Sequence, residues 1–160
     1  MPPGRKPAPE LQLERFLPYR LSVLANTVSA AIASVYAERH DLSIPEWRVI
    51  AVLAQDPGLT AAEVAARTAM DKVAVSRAVT RLEADGRVRR SAMRGDRRRQ
   101  QLALTREGRD VYRKVVPWAL EYERRLVEAL DPAELRALDD ALYRLTERAR
   151  AEHIIQERSG

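Results

Sequence analysis

The sequence predicts a mainly α-helical protein with a small β wing. A winged helix-turn-helix lobe spans residues 44–105, and both flanks, residues 11–40 and 106–150, form a helical dimerisation region. Three observations carry this prediction. Apolar residues recur at helical spacing through both flanks. Two capped helical segments separated by a three-residue turn occupy the middle. Two short β-type runs around Arg94-Gly95-Asp96 follow them directly. With 160 residues, 46% of them hydrophobic and 32% charged, the chain can build one compact domain or two small interlocked ones.

The elements follow in order. Residues 1–10 are Pro-rich and basic with little to bury, and are expected to be a disordered tail. From about Leu11 to Arg39 the apolar positions Leu17, Leu21, Leu24, Val28, Ile32 and Val35 step by three or four residues, with Pro18 tolerated near the helix start or as a kink. A second helix follows Ser43-Ile44-Pro45, and Asp56-Pro57-Gly58 stops it. Thr60-Ala61-Ala62-Glu63 is a capping box that opens a short helix to about Arg67. Asp71 caps the next helix, which runs through Asp85 and ends at Gly86.

In that helix Val75, Ala78, Val79 and Leu82 form one apolar stripe. Lys72, Val73, Ser76, Arg77, Thr80 and Arg81 fall on other faces. Val88–Met93 and Gln100–Leu104 then predict a hairpin with an arginine-rich tip. Thr105 caps a long helix bent at Pro117, and Asp131-Pro132-Ala133-Glu134 opens the last one. Leu135, Leu138, Leu142 and Leu145 give that helix its seam, which ends in a polar tail over residues 151–160, near His153.

Charge separates the function classes. Between Thr60 and Thr105 eleven basic side chains face five acidic ones, a surplus of six, while the rest of the chain holds 17 basic against 18 acidic. A localised cationic surface calls for a polyanionic partner, and helix, turn, helix and hairpin together suit double-stranded DNA. Lys72, Ser76, Arg77, Thr80 and Arg81 are spaced to meet base edges and phosphates in the major groove. Arg94, Arg97, Arg98 and Arg99 at the wing tip suit the minor groove, with Asp96 pairing Arg98 to hold it in an inserting geometry.

No cysteine is present, which excludes disulfides, cysteine zinc sites and thiol chemistry. The two histidines, His40 and His153, lie far apart, so neither a metal site nor a cofactor is expected. Enzymatic activity is not expected either, because no nucleophile constellation, phosphate-binding Gly loop or metal motif appears. Apolar runs are interrupted well before the ~20 residues a bilayer needs, so the expectation is a cytoplasmic protein with no membrane partner. The long flanking helices hold more apolar seam than the lobe covers. A twofold homodimer accounts for the excess, and an intramolecular three-helix bundle is the alternative.

Ile44-Pro45-Glu46-Trp47-Arg48-Val49, Val75-Ser76-Arg77 leading to Arg81-Leu82-Glu83-Ala84-Asp85-Gly86, and Asp96-Arg97-Arg98 ahead of Leu104-Thr105-Arg106-Glu107-Gly108 closely resemble the MarR family of bacterial transcription regulators. The similarity covers roughly Leu11 to Arg150. It implies a homodimer of triangular outline on a palindromic operator, usually repressing, and released by a small ligand such as an aromatic acid or its thioester. By motif match Arg98 is the minor-groove arginine, Asp96 supports it, and Ser76 and Arg77 lie on the recognition helix. The family pocket draws on the first, second and fifth helices, which makes Tyr19, Arg20, Tyr36, His40, Trp47, Arg48 and Trp118 the candidate ligand residues. The cysteine-dependent peroxide-sensing branch is excluded. A constitutive or architectural DNA binder without ligand response is the competing reading.

Overall fold

The computed structural model describes residues 10–93 and 96–159; the side chains of residues 96–98 and 153–159 lie outside the described set. The chain divides into two compact units, Met1–Trp118 and Ala119–Gly160.

In the first unit a 3-10 turn, Leu13–Arg15, precedes α1 (Leu17–His40), with Pro18 in its first turn, where a missing N–H costs no helical hydrogen bond. Three helices and a two-stranded hairpin then build the lobe: α2 (Ile44–Gln55), α3 (Ala61–Thr68), α4 (Lys72–Ala84), and β1 (Val88–Met93) with β2 (Asp96–Leu104). α5 (Arg106–Val127) begins in this unit and runs unbroken through Pro117. α1 and α5 are not separate from the lobe's packing. Tyr36 of α1 and Val111 and Val115 of α5 share one buried core with Val49, Ile50, Leu53, Val75, Val79 and Leu82.

Local chemistry sets the boundaries. Ser43 and Glu46 form a capping box at α2, with the Ser43 N–H donating to Glu46 Oε2 at 2.7 Å. At α3 the Thr60 N–H donates to Glu63 Oε2 at 2.7 Å, and the Glu63 N–H returns to Thr60 Oγ1 at 3.3 Å. Asp71 Oδ1 accepts from the N–H groups of Val73 and Ala74 to start α4. α4 ends in a Schellman motif: Gly86 takes φ +68°, Arg87 N–H donates to the Leu82 carbonyl at 2.8 Å, and Gly86 N–H to that of Glu83 at 2.9 Å.

The hairpin is antiparallel, with Val88 opposite Leu104 and Ala92 opposite Gln100, but Met93 faces Asp96. The register therefore slips where Arg97, Arg98 and Arg99 lie. This corrects the sequence expectation that the second strand starts at Gln100 with the arginines in the tip; Asp96 through Arg99 belong to β2. The base of β2 is held on its other edge by Gly58 N–H donating to the Leu102 carbonyl and Leu102 N–H donating to that of Leu59.

Where the hairpin closes, the chain makes its tightest approach. Thr105 N–H donates to the Arg87 carbonyl at 3.0 Å, Thr105 Oγ1 donates to the Gly86 carbonyl at 2.7 Å, and Gly108 N–H donates to Thr105 Oγ1 at 3.1 Å. A Cβ on Gly108 would stand 2.1 Å from the Arg87 carbonyl oxygen.

The second unit holds the end of α5 and α6 (Pro132–Ser159). Asp131 Oδ1 accepts from Ala133 and Glu134, and Glu134 Oε2 accepts from the Asp131 N–H, a complete cap with Pro132 at the first helical position. α6 continues to Ser159, through nearly all of the polar tail expected over residues 151–160, where Ala, Glu, Gln and Arg favour helix. The expected N-terminal tail up to Pro9 lies outside the described residues. Contrary to the expectation from the interrupted apolar runs, α1 is long and apolar enough to cross a bilayer by length and composition alone, with mean hydropathy 1.2 over its best window. Part of that apolarity serves the core, where Tyr36 is buried and Ile32 and Ala33 pack against it.

Gly108→Ala is expected to lower stability by about 1–3 kcal/mol, because the new methyl collides with backbone that hydrogen bonds hold in place. Helix propensity alone predicts a gain of about 1 kcal/mol, so the sign of the shift in urea midpoint decides between the two effects.

Candidate nucleic-acid interface

α4 buries Val75, Ala78, Val79 and Leu82 against α2 and α3, and this packing fixes which side chains face outward. Lys72, Val73, Ser76, Arg77 and Thr80 are all exposed. Ser76 and Arg77 lie three and four residues after Val73, and Thr80 lies four and three after them, so these four form one surface row.

Ion pairing sorts the cations of the basic block. Arg67 pairs with Asp56 at 2.9 Å, Arg90 with Glu83 at 2.6 Å, and Arg99 approaches Glu63 at 3.7 Å. Arg87 donates to the His40 carbonyl at 2.7 Å; its other terminal nitrogen is buried without a hydrogen-bond partner, 3.8 Å from Asp85. Lys72, Arg77 and Arg89 have no acidic partner among the described residues.

Arg81, expected as a DNA contact, is exposed and also serves the fold. Its guanidinium donates to Asp41 Oδ2 at 2.7 Å and stands 3.5 Å from the buried carboxylate of Glu46, tying α4 to the α1–α2 corner. Arg99 is likewise tied, to the first turn of α3. The Glu63 carboxyl it approaches is held below its usual range chiefly by the Thr60 N–H, then by the Thr60 hydroxyl, with Arg99 adding a smaller attraction. Arg94 lies outside the described residues. So do the side chains of Asp96, Arg97 and Arg98, and with them the expected Asp96–Arg98 pair.

The seven candidate ligand residues are not brought together. Tyr19 and Arg20 line a shallow depression on α1 with Val23, Leu24 and Thr27. Tyr36 and Trp47 are scaffold: their rings lie 5.5 Å apart, Trp47 stacks on Tyr112 at 6.0 Å, and burial pushes the Tyr36 hydroxyl up to about 12. Arg48 donates to Ser29 Oγ at 3.1 Å. His40 and Trp118 share a cavity of about 300 Å³, completed by Val35, Arg39, Lys114 and Val115. The Arg39 guanidinium sits 5.7 Å from the Trp118 ring centroid. Burial lowers the His40 pKa, and Lys114, Arg87 and Arg39 lower it further. Arg39 and Lys114 were absent from the sequence-based set. The i, i+4 spacing of Val35 with Arg39 and of Lys114 with Trp118 places each pair on one helix face and was the available signal.

Residues 40–99 match the model of the MarR family. Over 97 residues the chain is 31% identical to the homoprotocatechuate degradative operon repressor of Escherichia coli, covering 61% of this chain and 65% of that protein. It thus spans just under two thirds of that relative's length. An uncharacterised protein of Mycobacterium bovis is 30% identical over 118 residues, covering 74% of this chain and 82% of its own length. The crystal structure of a MarR/EmrR family transcriptional regulator from Acinetobacter sp. ADP1 superposes with a TM-score of 0.80 at 26% identity, over 88% of this chain and 99% of that one. The capped α3–turn–α4 pair, the wing and these likenesses agree: the chain belongs to the MarR family of transcriptional regulators.

Proposed function

We propose that the protein is a cytoplasmic, homodimeric repressor that binds a palindromic DNA operator through α4 and the wing, and leaves it when a small aromatic acid binds. The observation that carries this reading is the exposed row on α4, where Arg77 and Lys72, without an acidic partner among the described residues, stand beside Ser76 and Thr80. A helix of this kind fits the ~12 Å major groove, hydroxyls and guanidinium meet base edges, and an ammonium neutralises phosphate. Arg98 is assigned to the minor groove by its motif.

Selection from a random duplex pool, followed by anisotropy titrations, tests the reading. A palindrome preferred over random duplex by at least ~10³ supports it, and equal binding favours the architectural alternative. Lys72→Ala is expected to weaken all duplexes alike and to reduce the salt slope by about one per subunit. Arg98→Ala is expected to cost about 1–3 kcal/mol on the selected duplex with helix content unchanged.

The dimer rests on unpartnered apolar side chains. Leu17, Leu21 and Leu24 of α1 are exposed, and so are Leu138, Leu142 and Leu145 of α6. Two copies of the chain can cover these faces, and twofold symmetry matches a palindrome. Leu138→Glu combined with Leu142→Glu is expected to sediment as a monomer and to bind the selected duplex weakly.

For the ligand, Trp118 offers a ring face, and Arg39 and Lys114 offer cations, to an aromatic carboxylate in the His40 cavity. The E. coli relative's name ties it to homoprotocatechuate, an aromatic acid of this class. A bound anion offsets the cations around His40 and raises its depressed pKa, so binding takes up a proton. Calorimetric affinity for homoprotocatechuate is therefore expected to tighten as pH falls from 7.5 to 5.5. His40→Gln is expected to flatten that dependence.

A further inference from the structure

The DNA-facing row of α4 contains one side chain that neither charge nor hydrogen bonding explains. Val73 is 56% exposed, and among the described residues it is the only large hydrophobic so exposed between Leu24 and Trp118. It contributes nothing to the core, since the inward face of α4 is completed by Val75, Ala78, Val79 and Leu82. Helix stability does not favour it either, because a β-branched residue at an exposed helical position is a poorer helix former than alanine.

We infer that Val73 is a specificity-determining residue that reads the 5-methyl group of a thymine in the operator. The inference rests on the proposed entry of α4 into the major groove. Thymine is the one base that presents a methyl group there, and an apolar side chain is its natural partner. Val73 sits in the first turn of α4, the end of a recognition helix from which side chains reach base edges. Its backbone N–H is fixed by Asp71 Oδ1 at 2.8 Å, and its branched side chain has few rotamers, so the two methyl groups are presented in a settled orientation. Ser76 and Arg77 lie one turn further on, a rise of about 5 Å, which places the thymine about one to two base pairs from the base they contact.

The experiment replaces each thymine of a duplex selected by the full-length protein with uracil, one position at a time, which removes only the methyl group. Affinities are measured for the parent, Val73→Ala and Val73→Thr. The parent is expected to lose roughly fourfold affinity at one thymine per half-site, the factor for one buried methyl. Val73→Ala is expected to bind thymine and uracil duplexes equally at that position, while Val73→Thr, which keeps one methyl, retains part of the discrimination. If no uracil substitution weakens the parent, or if Val73→Ala keeps the full discrimination, Val73 does not read thymine. Failure to select any preferred duplex overturns the groove reading itself, and this inference with it. A selected palindrome without methyl dependence overturns only the role of Val73.

Discussion

The lobe depends on one close approach, the Arg87 carbonyl lying against the first turn of α5. Four elements meet there. Arg87 follows the Schellman end of α4 and leads into β1, while Thr105 leaves β2 and caps α5. The Thr105 N–H and hydroxyl donate to consecutive carbonyls, those of Arg87 and Gly86, so the hairpin's open end is closed by side chain and backbone together. Gly108 is required because this packing leaves no room for a Cβ. The Leu104-Thr105-Arg106-Glu107-Gly108 motif thus has a mechanical meaning: a buried leucine, a cap, and a clearance that sets the wing relative to α4.

Given that frame, electrostatics decides which cations can serve a partner. The surplus charge of the central segment does not measure its binding capacity, since Arg67, Arg81, Arg90 and Arg99 spend part of their attraction on carboxylates of the same chain. Such exposed pairs each add little to stability, typically under about 1 kcal/mol. They orient side chains more than they hold the fold. Arg81 also offsets the charge of Glu46, whose carboxylate is almost fully buried while it caps α2.

Features encoded within four residues were legible in the sequence. The boxes at Thr60 and Asp131, the Asp71 cap, the Gly86 terminator and the buried stripe of α4 all follow from local spacing. The Ser43–Glu46 box carries the same local signature, beside the Pro45 that marks the helix start. Distant pairing was not legible: Arg81 and Asp41 are 40 positions apart, and nothing local joins them. Nor was the start of β2, because an Asp-Arg-Arg-Arg run has no alternation of apolar and polar residues, and its strand character comes from pairing with β1. The candidate ligand set scattered for a related reason. Helix membership constrains which residues share a face, but the turn of each helix about its axis is fixed only by packing, and that packing put Tyr36 and Trp47 into the scaffold.

The α1–α2 corner connects these threads. His40 borders the cationic cavity, and its carbonyl accepts from Arg87 at the root of the wing; the next residue, Asp41, accepts from Arg81 of α4. A ligand can shift a DNA-binding equilibrium only through contacts that differ between the two states. Under the proposed reading these two arginine contacts are the shortest physical link between cavity and DNA-facing elements, because they join adjacent residues of one corner to both of them. Asp41 ends α1 in a left-handed conformation, φ 47°, which Asp adopts more readily than most residues with a side chain. Under the proposed reading, a ligand that displaces His40 would act on both contacts at once, since they leave adjacent residues of one corner.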